Sequence, residues 1–144
     1  MEDKYNRIRS FFEEYIHAYS EYGQSEDTIS VMNRFYAPDL CFPDDMVNGR
    51  DQWYVRCLNH PSVQDRLSIE HLIIDERQNE VSALLKTEAI DRGTGAKLME
   101  LRMSALYTLR MDSNEDMKIE TVRLMLESNP EKVARLAQLY RIGM

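Results

Sequence analysis

Two adjacent carboxylates, Asp44 and Asp45, a histidine in an alternating apolar run, His71, and two tyrosines one helical turn apart, Tyr15 and Tyr19, are the residues of this chain best suited to chemistry. A carboxylate or imidazole tuned toward working pH removes a proton beside a carbonyl, and a phenol aimed at the developing charge stabilises the enolate. Asp44 or His71 is thus the candidate base, and Tyr15 or Tyr19 the candidate donor. His71 shares parity with Leu67, Ile69 and Ile73, which directs it inward, where burial tunes an ionisable group. Asp44 and Asp45 follow Pro43 at the end of a short apolar strand; one of them can look into a sheet's concave face, although such a pair also forms plain turns. Tyr19, Trp53, Met103 and Tyr107 are expected to line the cavity wall.

Metal and cofactor chemistry find no support in the spacing. His17 and His60 have no ligand-spaced histidine or cysteine partner, no HExxH or CxxC occurs, and Gly93-Thr94-Gly95 reads as a hairpin turn rather than a phosphate cradle. The expectation is a site with no metal and no cofactor.

The elements that must hold these residues follow from periodicity. Tyr5, Ile8, Phe12, Tyr15, Ile16 and Tyr19 form one stripe of a helix from Glu2 to Tyr22. A short second helix carries Ile29, Met32, Phe35 and Tyr36, opens at Ser25 and stops before Pro38; a third spans Arg50 to Cys57. From Leu67 the pattern becomes alternating, with strands through Leu67–Ile73, Val81–Ala89, Met99–Leu109 and Met117–Leu126. Short polar joints at Arg77-Gln78-Asn79, Asp91 to Gly95 and Asp112-Ser113-Asn114 predict antiparallel hairpins. Ser128 reads as the cap of a last helix through Val133, Leu136 and Leu139, with Pro130 in its first turn. Helices followed by a meander predict one α+β domain over 1–144, a strongly curved antiparallel sheet wrapped around the first helix as a cone.

Composition narrows the function classes. With 25 acidic against 18 basic residues and a formal charge of -7, the chain repels phosphate backbones and anionic lipid, so neither nucleic acid nor membrane is expected as a partner. No run approaches the ~20 apolar residues of a membrane span, and the first residues lead into a charged amphipathic helix, which predicts a cytoplasmic protein. Cys41 and Cys57 read as small buried hydrophobes rather than a disulfide. The sheet's convex face, with Leu84, Ile90, Leu98 and Leu106 at outward parity, predicts a homodimer.

The order of elements, Tyr36-Ala37-Pro38-Asp39 leading into a strand, and Gly49-Arg50 opening a helix with Trp53 together resemble the NTF2-like superfamily, nearest its SnoaL-like branch. That resemblance implies a cystatin-like cone enclosing a small-molecule cavity. In the ketosteroid isomerases of the superfamily a helix-one tyrosine and an aspartate after the first strand correspond to Tyr15 and Asp44, while their second acid would fall near Met103 or Ala105, where no carboxylate stands. Scytalone dehydratase and a related dehydrochlorinase carry a histidine that corresponds to His71; their helix-one carboxylate has no counterpart, since Ser20 follows Tyr19. Polyketide cyclases carry an acid on the last strand, where this chain has Arg123-Leu124. The resemblance implies a cofactor-independent lyase or isomerase acting on a small, mostly apolar carbonyl compound, or a non-catalytic binding module of the same fold.

Overall fold

The computed structural model of the chain describes residues 3–112 and 116–140. Helix α1 (Lys4–Tyr22) starts where Asp3 accepts the Asn6 backbone N–H at 2.8 Å and buries Ile8, Phe12, Tyr15, Ile16 and Tyr19, the face that the 3.6-residue spacing marks out. A 3-10 helix (Ile29–Arg34) follows, then strand β1 (Tyr36–Phe42), a 3-10 turn (Pro43–Asp45), strand β2 (Val47–Asn48) and helix α2 (Arg50–Cys57). Four long strands, β3 (Val63–Asp75), β4 (Glu80–Asp91), β5 (Lys97–Met111) and β6 (Met117–Leu126), form the meander, and helix α3 (Pro130–Tyr140) ends the described chain.

All six strands form one open mixed sheet in the order β2-β1-β6-β5-β4-β3. The α+β class and the antiparallel meander agree with the sequence. One pairing does not, because β1, antiparallel to β2 on one side, lies parallel to β6 on the other, with Ile119 N–H donating to Phe35 O at 2.7 Å. The second helix is also shorter than expected and of 3-10 type, since Phe35 and Tyr36 already belong to the run into β1; no side chain caps it, and Ser25 contributes only its carbonyl. At α3 the cap is Asn129, not Ser128: its side chain accepts the Lys132 N–H at 3.1 Å. The turn expected at Asp112-Ser113-Asn114 lies mostly outside the described residues, as does Glu2.

The core sits between α1 and the sheet. Phe12 packs edge-on against Tyr107 of β5, with ring centroids 4.8 Å apart, and Leu85, Ala105, Ile119 and Val122 complete the sheet side. Each large apolar side chain so buried contributes about 1.5–3 kcal/mol. Two register shifts matter. Between Ile69 and His71 the β3–β4 pairing slips by one, so Ile69 faces Leu85 but His71 faces Leu84. Between Ala89 and Ile90 the β4–β5 register also shifts, and Ile90, expected on the outward face, is buried, whereas Leu84 is exposed.

Gly49 holds β1, β2 and α2 together at the turn into α2. Its φ is +99° and its ψ 142°, and its N–H donates to Leu40 O at 2.6 Å. A Cβ there has room, with Pro38 O the nearest atom at 3.8 Å, so the penalty of a side chain is backbone strain alone. Gly49→Ala is expected to lower stability by about 1–3 kcal/mol in urea unfolding; an unchanged midpoint would show that the turn relaxes freely.

Candidate active site

A cavity of about 650 Å³ opens between α1, α2, α3 and the inner face of the sheet. One wall is apolar and aromatic, with Phe42 stacked on Trp53 at 4.2 Å and Leu101, Val122 and Leu124 beside them. Polar groups gather at two places.

The first is a chain of phenols. Tyr15 and Tyr36 share a hydroxyl hydrogen bond of 2.9 Å, Trp53 Nε1–H donates to Tyr36 Oη at 3.1 Å, and the Tyr107 ring lies edge-on to that of Tyr15 with centroids 5.7 Å apart. Burial, first among the causes, pushes all three tyrosines well above the ordinary range, so each stays a neutral donor. Two hydroxyls and one indole hold one more hydrogen than the two bonds joining them consume. Trp53 can only donate, and Tyr36 is fully buried away from the cavity. Ordering the chain from Trp53 to Tyr36 to Tyr15 satisfies Tyr36, and the surplus hydrogen emerges on Tyr15, which lines the cavity.

The second is centred on Asp65 of β3. Tyr19 Oη donates to its Oδ2 at 3.1 Å, and Tyr140 of α3 donates to its Oδ1. Gln24 fixes the backbone on both sides, donating to Asp65 O at 2.9 Å and accepting the Asp65 N–H at 2.6 Å. Although Asp65 keeps part of its surface open, desolvation is the largest influence on its carboxyl and raises it above the ordinary carboxylate value. The tyrosine hydrogen bonds and the nearby His60 and Arg92 work in the opposite sense without overcoming it. His60 is buried, lies edge-on against Tyr140 at 4.4 Å, and places Nδ1 3.0 Å from Val63 O. A carbonyl only accepts, so Nδ1 carries the hydrogen and Nε2 is the nitrogen free to exchange a proton. Cys57, also in the wall, is held neutral by burial.

No family profile and no curated protein sequence matches the chain. Solved structures do. A SnoaL-like polyketide cyclase from Agrobacterium tumefaciens superposes with a TM-score of 0.62 at 16% identity, covering 92% of this chain and 97% of its own. An NTF2-like superfamily protein from Salmonella enterica gives 0.58 at 14% identity, over 86% and 94% of the two chains. A ketosteroid isomerase-like protein from Erwinia carotovora gives 0.56 at 15%, over 85% and 95%. The chain has the NTF2-like fold. At these identities the likeness describes the fold and carries no residue's role with it.

Within this NTF2-like scaffold the expected residues separate. Tyr15, Tyr19, Trp53, Met103 and Tyr107 all line the cavity. His71 does not: the register slip after Ile69 turns it to the exposed face and sends Leu72 and Ile74 inward in its place. Asp44 is also outside, because the chain leaves β1 through a 3-10 turn instead of continuing extended, and its carboxylate pairs with Arg123 of β6 at 3.0 Å. Asp45, its neighbour, touches the cavity rim. The residues that sequence reasoning missed are Asp65, His60 and Tyr140. Carrying the alternation of β3 back from Leu67 puts Asp65 on inward parity, and helical spacing from Leu136 reaches Tyr140; both signals were present in the pattern. Among the described residues no group of three or more metal-ligating side chains converges, and no helix is long and apolar enough to cross a membrane.

Holding Asp65 above the ordinary carboxylate range makes stability depend on pH with a definite sign. The folded protein binds this proton more tightly than the unfolded chain, so its contribution to stability is full below about pH 4 and is lost as pH rises through the folded value. Asp65→Asn carries no such charge and should melt with a flatter pH profile above pH ~4. Parallel melting curves for the two proteins would refute a buried, proton-holding Asp65. His71→Asn, on the outer face, is expected to leave ligand binding intact.

Proposed function

We propose that the protein is a cofactor-independent enzyme of lyase or isomerase type, moving a proton on a small, mostly apolar carbonyl compound held in the cavity. The observation that carries this reading is the opening of two complementary groups on one cavity: a desolvated carboxyl at Asp65 and a surplus phenol hydrogen at Tyr15. Tyr15 and Tyr19 stand one helical turn apart, so their side chains leave α1 about 5–6 Å from each other and lead to the two polar places. A carbonyl oxygen would accept from the phenol chain while Asp65, with His60 behind it, exchanges the proton on the neighbouring carbon. In this reading Asp65 and His60 take the base role that the sequence suggested for Asp44 and His71. Aromatic and aliphatic walls keep water from the enolate and suit an apolar body.

A second reading, a binding module without chemistry, is favoured by one observation: both carboxylate oxygens of Asp65 already accept tyrosine hydrogens. Deuterium exchange separates the two. A panel of cyclic aryl ketones in heavy water, followed by proton NMR, should show enzyme-accelerated loss of the hydrogens beside the carbonyl, reduced about 10²–10⁴-fold by Asp65→Asn and about 10²–10³-fold by Tyr15→Phe. Ketones that bind without exchange would leave the binding module as the surviving reading.

We also propose that the convex face pairs two copies of the chain, since Leu84 and Ile73 stand exposed there. Light scattering at micromolar concentration should give the mass of a dimer; a monomer would end this proposal.

A further inference from the structure

One polar atom just behind the cavity wall serves neither polar place. Thr87, in the middle of β4, is 7% exposed and lines the cavity, while its hydroxyl oxygen is itself buried and has no hydrogen-bond partner. Native proteins satisfy nearly all buried polar groups, because an unpaired hydroxyl is costly, and an orphan beside a cavity points to a partner that arrives with the ligand.

The position of Thr87 limits what that partner can be. Thr87 pairs with Leu67 on β3 and Leu101 on β5, while Asp65 pairs with Ala89, so Asp65 and Thr87 are diagonal neighbours on the same face, with backbones about 7–8 Å apart. A single ligand atom placed between their side chains would meet both. The carboxylate offers about four acceptor sites, of which Tyr19 and Tyr140 occupy two, so it can still accept. The threonine hydroxyl is free to donate, and one staggered step about χ1 exchanges it with the methyl group in the wall. A carbonyl oxygen cannot donate to the Asp65 carboxylate. An ammonium group could donate to both side chains, since the threonine oxygen also accepts, but its charge is costly against the apolar wall around them. A hydroxyl group donates to Asp65 and accepts from Thr87 without bringing a charge.

We propose that Thr87 is a specificity-determining residue of this cavity and that, with Asp65, it selects ligands bearing a hydroxyl group at the end of an apolar body. This assignment rests on the cavity being the ligand site of the proposed function, and it adds a second recognised group to the carbonyl placed at the phenols. The ligand class becomes a hydroxylated carbonyl compound rather than a simple ketone.

Calorimetric titration with naphthol and with methylnaphthalene tests it, because the two bicyclic probes differ by one hydroxyl. Wild-type protein should bind naphthol about 10-fold more tightly, or more, than methylnaphthalene. Thr87→Val, which keeps the shape and removes the hydroxyl, should cut that preference to about threefold or less while methylnaphthalene binds as before; Thr87→Ser should retain it. Since Thr87 makes no hydrogen bond in the free protein, Thr87→Val should melt no lower than wild type. An undiminished preference in Thr87→Val, or a melting point several degrees lower, overturns the assignment. Equal binding of both probes by wild type overturns it while leaving the ligand cavity standing; failure of both probes to bind overturns both. Preserved hydroxyl selectivity with no ketone exchange would retain Thr87 and discard the proposed chemistry.

Discussion

A helix laid across a sheet has one stripe with which to hold itself there, and in this chain that stripe includes two tyrosines, Tyr15 and Tyr19. Phe12, Tyr15 and Tyr19 sit at the contact that closes the hydrophobic core, with Tyr107 opposing them from β5. Their rings supply the burial and their hydroxyls remain as obligations, since a phenol removed from water must find partners. Tyr15 meets that obligation through Tyr36, and Tyr19 through Asp65. The polar interior of the cavity is therefore set by the same residues that fix the helix on the sheet, and a change that loosens α1 displaces both polar places together.

The Asp65 side carries a cost that the phenol side does not. A neutral hydroxyl network needs only geometry, whereas a carboxylate in a desolvated wall needs hydrogen-bond donors or a proton. The chain supplies Tyr19, Tyr140 and the charge of Arg92, whose guanidinium is itself held by Gln24 O at 3.0 Å. Those donors come from α1, α3 and the β4–β5 hairpin, so three separated parts of the sequence converge on one side chain. Such convergence at a single buried acid is the arrangement by which active sites set proton affinity.

Periodicity made the architecture legible: one stripe for α1, alternation for β4 and β5, and polar joints between them gave the α+β order and the inward set Leu101, Met103, Ala105 and Tyr107. The failures have local physical causes. Alternation predicts sidedness only while the register is unbroken, and a single extra residue at Glu70 reversed the parity of His71 and Ile73. Asp44 was misplaced because a 3-10 turn, not an extended residue, follows Pro43. Asp65 was passed over because β3 was begun at Leu67, four residues after its true start at Val63. The parallel partnership of β1 with β6 has no sequence signature, because it joins segments separated by most of the chain.

That partnership also orders events during synthesis and folding. β1 has only the two residues of β2 on one side, and its other edge is satisfied by β6, which begins some eighty residues later. Until β6 has formed, the edge groups of β1 that face it have no partner strand. Contacts of such long sequence separation raise the entropy cost of the folding transition state and slow it. The meander from β3 to β6, by contrast, consists of neighbouring hairpins that can form locally. The N-terminal third of the chain thus waits on the C-terminal strand, and during that interval it is the segment most in need of protection from association with other chains.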